Sequence, residues 1–158
     1  MGLFDKKSTN SASGAKLGAM LKEAFPGVEF FQEGDGPFAT REESVAVSIF
    51  INKDFGDGTN VVSVVGLTLF GARDVDGLYR HLMMNTETGI QAHWEVEPAE
   101  VAGSVNVMVV QNLLLETLDV LELQIAVSGV VNTANNNDEN LQKLFGGRRC
   151  VEEYGWSE

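Results

Sequence analysis

The sequence predicts an α+β protein, an antiparallel sheet of about five strands with helices packed on it, in the order α-β-β-β-α-β-β-α. Three observations predict it. Runs that alternate apolar and polar residues, the period of a strand, fill the interior of the chain. Short turns rich in Gly and Asp join neighbouring runs, which makes the pairing antiparallel. Apolar residues three and four apart, the period of a helix, recur near the start, the middle and the end. Helices beside such a sheet form an α+β sandwich.

Residues 1–14 end in Ser8-Thr9-Asn10-Ser11-Ala12-Ser13-Gly14, which reads as a disordered tail. Ala15 to Phe25 is predicted helical, with Leu17, Met20, Leu21 and Ala24 on one stripe and Pro26-Gly27 as the stop. Val28 to Gln32 is a short strand, and Gly34-Asp35-Gly36-Pro37 a turn. Phe38 to Asn52 reads as a second strand, with Val45, Val47, Ile49 and Ile51 on one face and Ser44, Ala46, Ser48 and Phe50 on the other. Asp57-Gly58 marks a hairpin leading into Val61 to Phe70, a strand apolar on both faces.

Asp74 or Asp76 is positioned to cap a helix carrying Leu78, Tyr79, Leu82 and Met83, which ends over Asn85 to Gly89. Ile90 to Val96 alternates, with Trp94 and Val96 inward and His93, Glu95 and Glu97 outward. Val105 to Leu115 is a fifth strand, again apolar on both faces. Thr117 or Asp119 can cap a long last helix with Leu118, Leu121, Ile125 and Gly129 on its stripe. Asn135-Asn136-Asn137 weakens that helix, Leu141, Leu144 and Phe145 resume its spacing, and Gly146-Gly147 ends it. Residues 148–158 read as an acidic tail with Tyr154 and Trp156.

The composition bounds the function. A chain of 158 residues with 44% hydrophobic residues can build one core without staples. Its net charge of −12, from 23 acidic and 11 basic residues, repels phosphate backbones and anionic lipid. Arg148-Arg149 is the nearest thing to a basic cluster. Neither nucleic acid nor a membrane is therefore expected as a partner. One cysteine, Cys150, excludes an intrachain disulfide and suits the cytoplasm. The first residues lack the apolar core of a signal peptide, and no run reaches the ~18 apolar residues of a membrane span.

Three stretches carry a likeness to a known family. The three-strand meander leads into Gly77-Leu78-Tyr79-Arg80-His81-Leu82-Met83-Met84-Asn85. Thr88-Gly89-Ile90-Gln91-Ala92-His93-Trp94 follows, and the Thr-initiated last helix ends at Leu144-Phe145-Gly146-Gly147. Over residues 15–147 the chain resembles the YbjN family, whose fold is similar to that of type III secretion chaperones. The family tends to end the middle helix in Leu-Asn, where this chain has Met84-Asn85. The resemblance implies a homodimeric, non-enzymatic protein that acts as a chaperone or as a stress or sensory adaptor. It brings no catalytic residue to carry over.

The residues themselves assemble no catalytic, metal or cofactor site. Asp54-Phe55-Gly56 spells a kinase tripeptide without the other kinase motifs. The segment from Asp54 places Gly56 and Gly58 where a calcium loop needs ligands. His81 and His93, the two histidines, have no zinc spacing. Cys150, beside Arg148 and Arg149, has neighbours that would lower a thiol pKa but sits in the acidic tail. Glu42-Glu43, Glu95-Glu97 and Glu152-Glu153 read as solvated pairs. Gly71-Ala72-Arg73 lacks the repeated glycines of a phosphate loop.

The positive clue is a second apolar face of the sheet. If helices cover the face bearing Val65, Leu67 and Val109, then Phe50, Val62, Val64, Phe70, Met108, Val110 and Leu114 need another cover. The first and last helices on opposite sides, a second copy of the chain, or a groove for a client peptide or small apolar ligand would each supply it. The expected partners are protein, as self and as a client. A carrier of a small apolar ligand in a sheet–helix pocket is the alternative.

Overall fold

The computed structural model of the chain describes residues 11–53, 59–85 and 91–157. It is α+β, with a six-stranded, wholly antiparallel sheet and helices packed on it. The elements are α1 (Ser11–Ala24), β1 (Phe31–Gln32), β2 (Phe38–Glu42), β3 (Val45–Lys53), β4 (Asn60–Arg73), α2 (Asp76–Met84), β5 (His93–Pro98), β6 (Ser104–Leu114), α3 (Val120–Phe145) and α4 (Cys150–Glu153). The sheet order is β1-β2-β3-β4-β6-β5.

The sixth strand arises because the expected strand over 38–52 is a hairpin. Glu43 adopts a left-handed φ of 52°, and the chain turns there so that Glu42 pairs with Val45. Continuous alternation through a two-residue turn hides that reversal. The Asp57-Gly58 hairpin, Ile90 and the stretch 86–89 lie outside the described residues.

Opposed residues on neighbouring strands share a face. Ile51, Val62 and Leu113 line up, as do Ile49, Val64 and Gln111. All of these apolar side chains lie under α1 and α3 in the main core, with Leu17, Leu21, Leu123, Val127 and Val130. A second cluster joins Leu78 and Leu82 of α2 to Leu141 and Phe145 of α3, over Leu69, Val105 and Val107. α1 packs against α3 on the same side of the sheet, so the two helices do not cover opposite faces.

The parity of β4 changes along its length. Val65 and Leu67 point away from the helices, whereas Leu69 points into the α2 cluster. The cause is a register shift against β6 between Leu67 and Leu69, followed by another between Leu69 and Ala72. Each inserts one residue, and a one-residue insertion exchanges the faces. Gly66 lets α3 approach β4 closely: a Cβ there would stand 2.6 Å from Val130 Cγ1.

The helix ends differ in part from expectation. Asp119 caps α3, accepting from the Glu122 amide at 2.7 Å. Neither Asp74 nor Asp76 caps α2, whose N-cap is Val75 without a side-chain bond; Asp74 instead accepts from the Tyr79 hydroxyl at 2.6 Å. The buried stripe of α3 is Leu123, Ala126, Val127, Val130, Val131 and Ala134, while Leu121 and Ile125 face solvent. α3 runs unbroken through Asn135-Asn136-Asn137, because Asn135 bonds to Ser44 and Glu43 and Asn137 to Asn85. Residues 11–14, expected in the tail, belong to α1.

Candidate functional site

The second face of the sheet is covered from within the chain. The segment after α3, expected as an acidic tail, folds back across it. Gly147 makes the approach: its φ is +87°, and a Cβ would stand 2.6 Å from the Phe70 carbonyl oxygen. Arg148 then forms a two-hydrogen-bond bridge with Phe70, each bond 2.8 Å. Cys150 sits fully buried against Phe50, Val65, Leu67, Met108 and Val110, and Trp156 and Phe70 pack at the margin. Tyr154 stacks on Trp156 and meets Phe70 edge-on. Arg41 closes the far end, with its guanidinium 4.6 Å from the Trp156 ring centroid and a 2.7 Å bond to the Ser157 carbonyl.

This arrangement divides the residues expected to meet a partner. Phe50, Met108 and Val110 lie together beneath the segment, with Phe70 beside them. Val62 and Val64 are on the opposite face, fully buried under the helices, because their cross-strand partners Ile51 and Ile49 face the core. Leu114 shares the second face but is half exposed at the end of β6. The face is thus an intramolecular interface, and the paired aromatics Tyr154 and Trp156 were the sequence signal for it.

Cys150 is the reverse of an activated thiol. Burial pushes its pKa from 9.0 up to about 11, and Asp138 and Glu153 add to the rise against a backbone bond from Ala46. Arg148 and Arg149, expected to lower it, direct their charge elsewhere: Arg148 pairs with Glu153 at 2.8 Å and Arg149 with Glu139 and Glu152. His93 bonds Glu95 at 2.8 Å, and His81 lies edge-on to Phe145. Among the described residues no group of three or more His, Cys, Asp or Glu could hold a metal ion, and no helix is long and apolar enough to cross a membrane.

Two of the open grooves among the described residues bear on function. One is a groove of about 510 Å³ between α2 and the edge strand β5, lined by Tyr79, Leu82, Met83, Ala92, Trp94 and Val96 among others. Met83 in this lining and the neighbouring Met84 stand 82% and 76% exposed, and both line a smaller hollow on α2 with Tyr79. Trp94 Nε1 is buried without a hydrogen-bond partner. The Asp74 bond raises the pKa of Tyr79, keeping its hydroxyl a donor. The periodicity of α2 assigns Leu78, Tyr79, Leu82 and Met83 to its buried stripe; the helix buries Leu78 and Leu82 but leaves Tyr79 and Met83 exposed. The other surface is a groove of about 680 Å³ between α1 and the β1–β2 hairpin, lined by Gly14, Gly18, Leu21, Val28, Phe30 and Phe38 among others.

No family model matches the chain, and no curated protein matches it.

Proposed function

We propose that the chain is a non-enzymatic protein-binding module of the cytoplasm, a chaperone-like or stress-regulatory adaptor that acts as a homodimer. The observation that carries this reading is the apolar rim formed by Met83, Met84 and Tyr79 beside the edge strand β5. Exposed methionines are adaptable and polarizable, which suits a surface that meets protein. An edge strand offers unpaired backbone groups for strand addition, and a groove beside it seats the added segment's side chains. The acidic charge favours protein over nucleic acid or anionic lipid as the partner. Cys150, kept as a buried free thiol, fits a reducing compartment. The likeness to the YbjN family points the same way.

Native mass spectrometry of the full chain tests this. A dimer that dissociates on Met83→Asp with Met84→Asp is expected. A monomer that captures no protein segment, with or without the substitutions, overturns the reading.

A second reading, the carrier of a small apolar ligand, is favoured by one observation. The 680 Å³ groove lies between a helix and the sheet and is lined by Leu21, Phe30 and Phe38, and its size falls in the usual ligand range of about 300–1,000 Å³. A reproducible adduct mass lost on Phe38→Asp would support it.

A further inference from the structure

We propose that the Asp138 carboxyl is a proton-controlled latch that, through the β2–β3 turn, holds the C-terminal segment on the second face of the sheet. The inference is independent of the partner-binding reading.

The count of protons carries it. Asp138 lies on α3 and is only 2% exposed. Ser44 Oγ, in the β2–β3 turn, stands 2.6 Å from both Asp138 Oδ2 and Asn135 Oδ1. The orientation of the Asn135 amide is fixed from two sides. Its Nδ2 donates to Glu43 Oε2 at 2.9 Å, and its Oδ1 accepts from the Ser44 amide at 3.3 Å. An amide oxygen has no proton to give, so the hydroxyl proton of Ser44 belongs to Asn135. The remaining 2.6 Å contact is a hydrogen bond only if the proton comes from Asp138. In the closed state Asp138 is therefore a neutral acid that donates to Ser44.

The surroundings support a neutral acid. Burial holds Asp138 above the ordinary aspartate value and the Glu139 carboxylate adds to this, while the Glu139 amide and Arg149 pull it down. Ser44 would also lower it as a donor, but its proton is committed to Asn135. The charged groups facing the site are Glu139 on α3, Glu43 in the turn, and Arg149 at the root of the C-terminal segment. Arg149 is engaged by Glu139 and Glu152.

The turn connects the latch to the segment. Glu43 holds a left-handed backbone, unusual for a residue with a side chain, and Asn135 and Ser44 are what fix it. The carbonyl of Glu43 accepts from Arg41 Nε at 3.0 Å. The same guanidinium covers Trp156 and binds the Ser157 carbonyl. When Asp138 ionises, one proton is left between two acceptors and one of the two short bonds is lost. The turn relaxes, Arg41 loses its support, and the aromatic end of the segment lifts from Phe70 and the sheet.

The test is ¹⁹F NMR of the full chain labelled with 5-fluorotryptophan, with the Trp156 resonance assigned by Trp156→Phe. Between about pH 5 and about pH 9 the ratio of lifted to seated Trp156 is expected to grow by up to about tenfold per unit while Asp138 is ionised in the lifted state and neutral in the seated one, and to level off once it is ionised in both. In Asp138→Asn the amide donates to Ser44 as the acid does, so Trp156 stays seated throughout. A wild-type resonance that does not change over this range, or an Asp138→Asn protein that follows the wild type, overturns the proposal. If Asp138→Asn fails to fold, a ¹³C-carboxyl titration of the wild type decides. An Asp138 pKa above the ordinary aspartate value supports the latch, and one at or below it overturns the latch.

Discussion

Cys150 Sγ lies 3.1 Å from the Leu67 carbonyl oxygen and donates to it, tying the C-terminal segment to the strand bulge that begins at Leu67. That bulge turns Leu69 into the helix-side core and leaves Val65 and Leu67 facing the segment. The same stretch of β4 thus carries both the irregularity that moves Leu69 to the helix side and the carbonyl that anchors the segment.

The chemistry of this contact predicts how stability responds to alkali. The folded pKa of Cys150 is raised from 9.0 to about 11, so folding favours the neutral thiol. Its stabilising contribution is complete below about pH 9 and is lost as pH rises through about 11. Tyr154 is raised chiefly by burial and contributes with the same sign. The loss expected from Cys150 is about 2–3 kcal/mol at most. Urea titrations across this window should show a steep alkaline limb that Cys150→Ala flattens. Alkylation of the native thiol at neutral pH should be at least about 100-fold slower than in urea, from thiolate fraction alone. A fast native reaction would show the thiol to be accessible.

Gly66 sets the distance between α3 and the sheet. A methyl group there meets Val130 Cγ1 at 2.6 Å and Val45 Cγ1 at 3.3 Å. Gly66→Ala should cost about 1–3 kcal/mol through overpacking. Val130→Ala should lose less stability in the Gly66→Ala background than alone, because it makes the room that the added methyl group lacks. Additive losses in thermal unfolding would disprove this packing account.

The architecture was legible wherever one residue sets one signal. Alternation at Val45 to Ile51 and the apolar run at Val105 to Leu115 read as strands, and Leu17, Leu21 and Ala24 as a helix face. Four features were not legible, for physical reasons. The turn at Glu43 uses a positive φ on a residue that normally avoids it. A strand apolar on both faces does not show which face the helices cover, so Val62 and Val64 are read onto the wrong one, and the insertions in β4 that part them from Phe70 leave no mark in the apolar run. An acidic segment hides its buried residues Cys150 and Val151 among charges. On α2, spacing alone does not separate Leu78 and Leu82, which are buried, from Met83, which is not.

Removing the cover should expose what it hides. A chain ending at Gly147 loses buried Cys150 and Val151 and the half-buried Trp156, and uncovers Phe50, Val65, Leu67, Met108 and Val110. Three such side chains correspond to about 5 kcal/mol gross of burial. The truncated chain should melt earlier, bind a fluorescent apolar dye and self-associate as concentration rises. An unchanged melting temperature without dye binding would mean that the segment contributes little to the second face.

The proposed interface makes a prediction that separates binding from stability. Met83 and Met84 are among the most exposed large apolar residues described, and neither belongs to a core cluster. Substituting both by Asp should therefore change folding stability by no more than about 0.5 kcal/mol each. If they anchor the homodimer, its dissociation constant should rise at least about 30-fold, the loss of a binding hot spot worth about 2 kcal/mol. Leu121 and Ile125 serve as the control: they are exposed on the outer side of α3, away from the groove lining. Leu121→Asp with Ile125→Asp should leave the dimer intact in sedimentation equilibrium. A dimer that survives the α2 pair and falls apart with the α3 pair would move the interface to the outer face of α3 and leave the α2–β5 groove without a role in self-association.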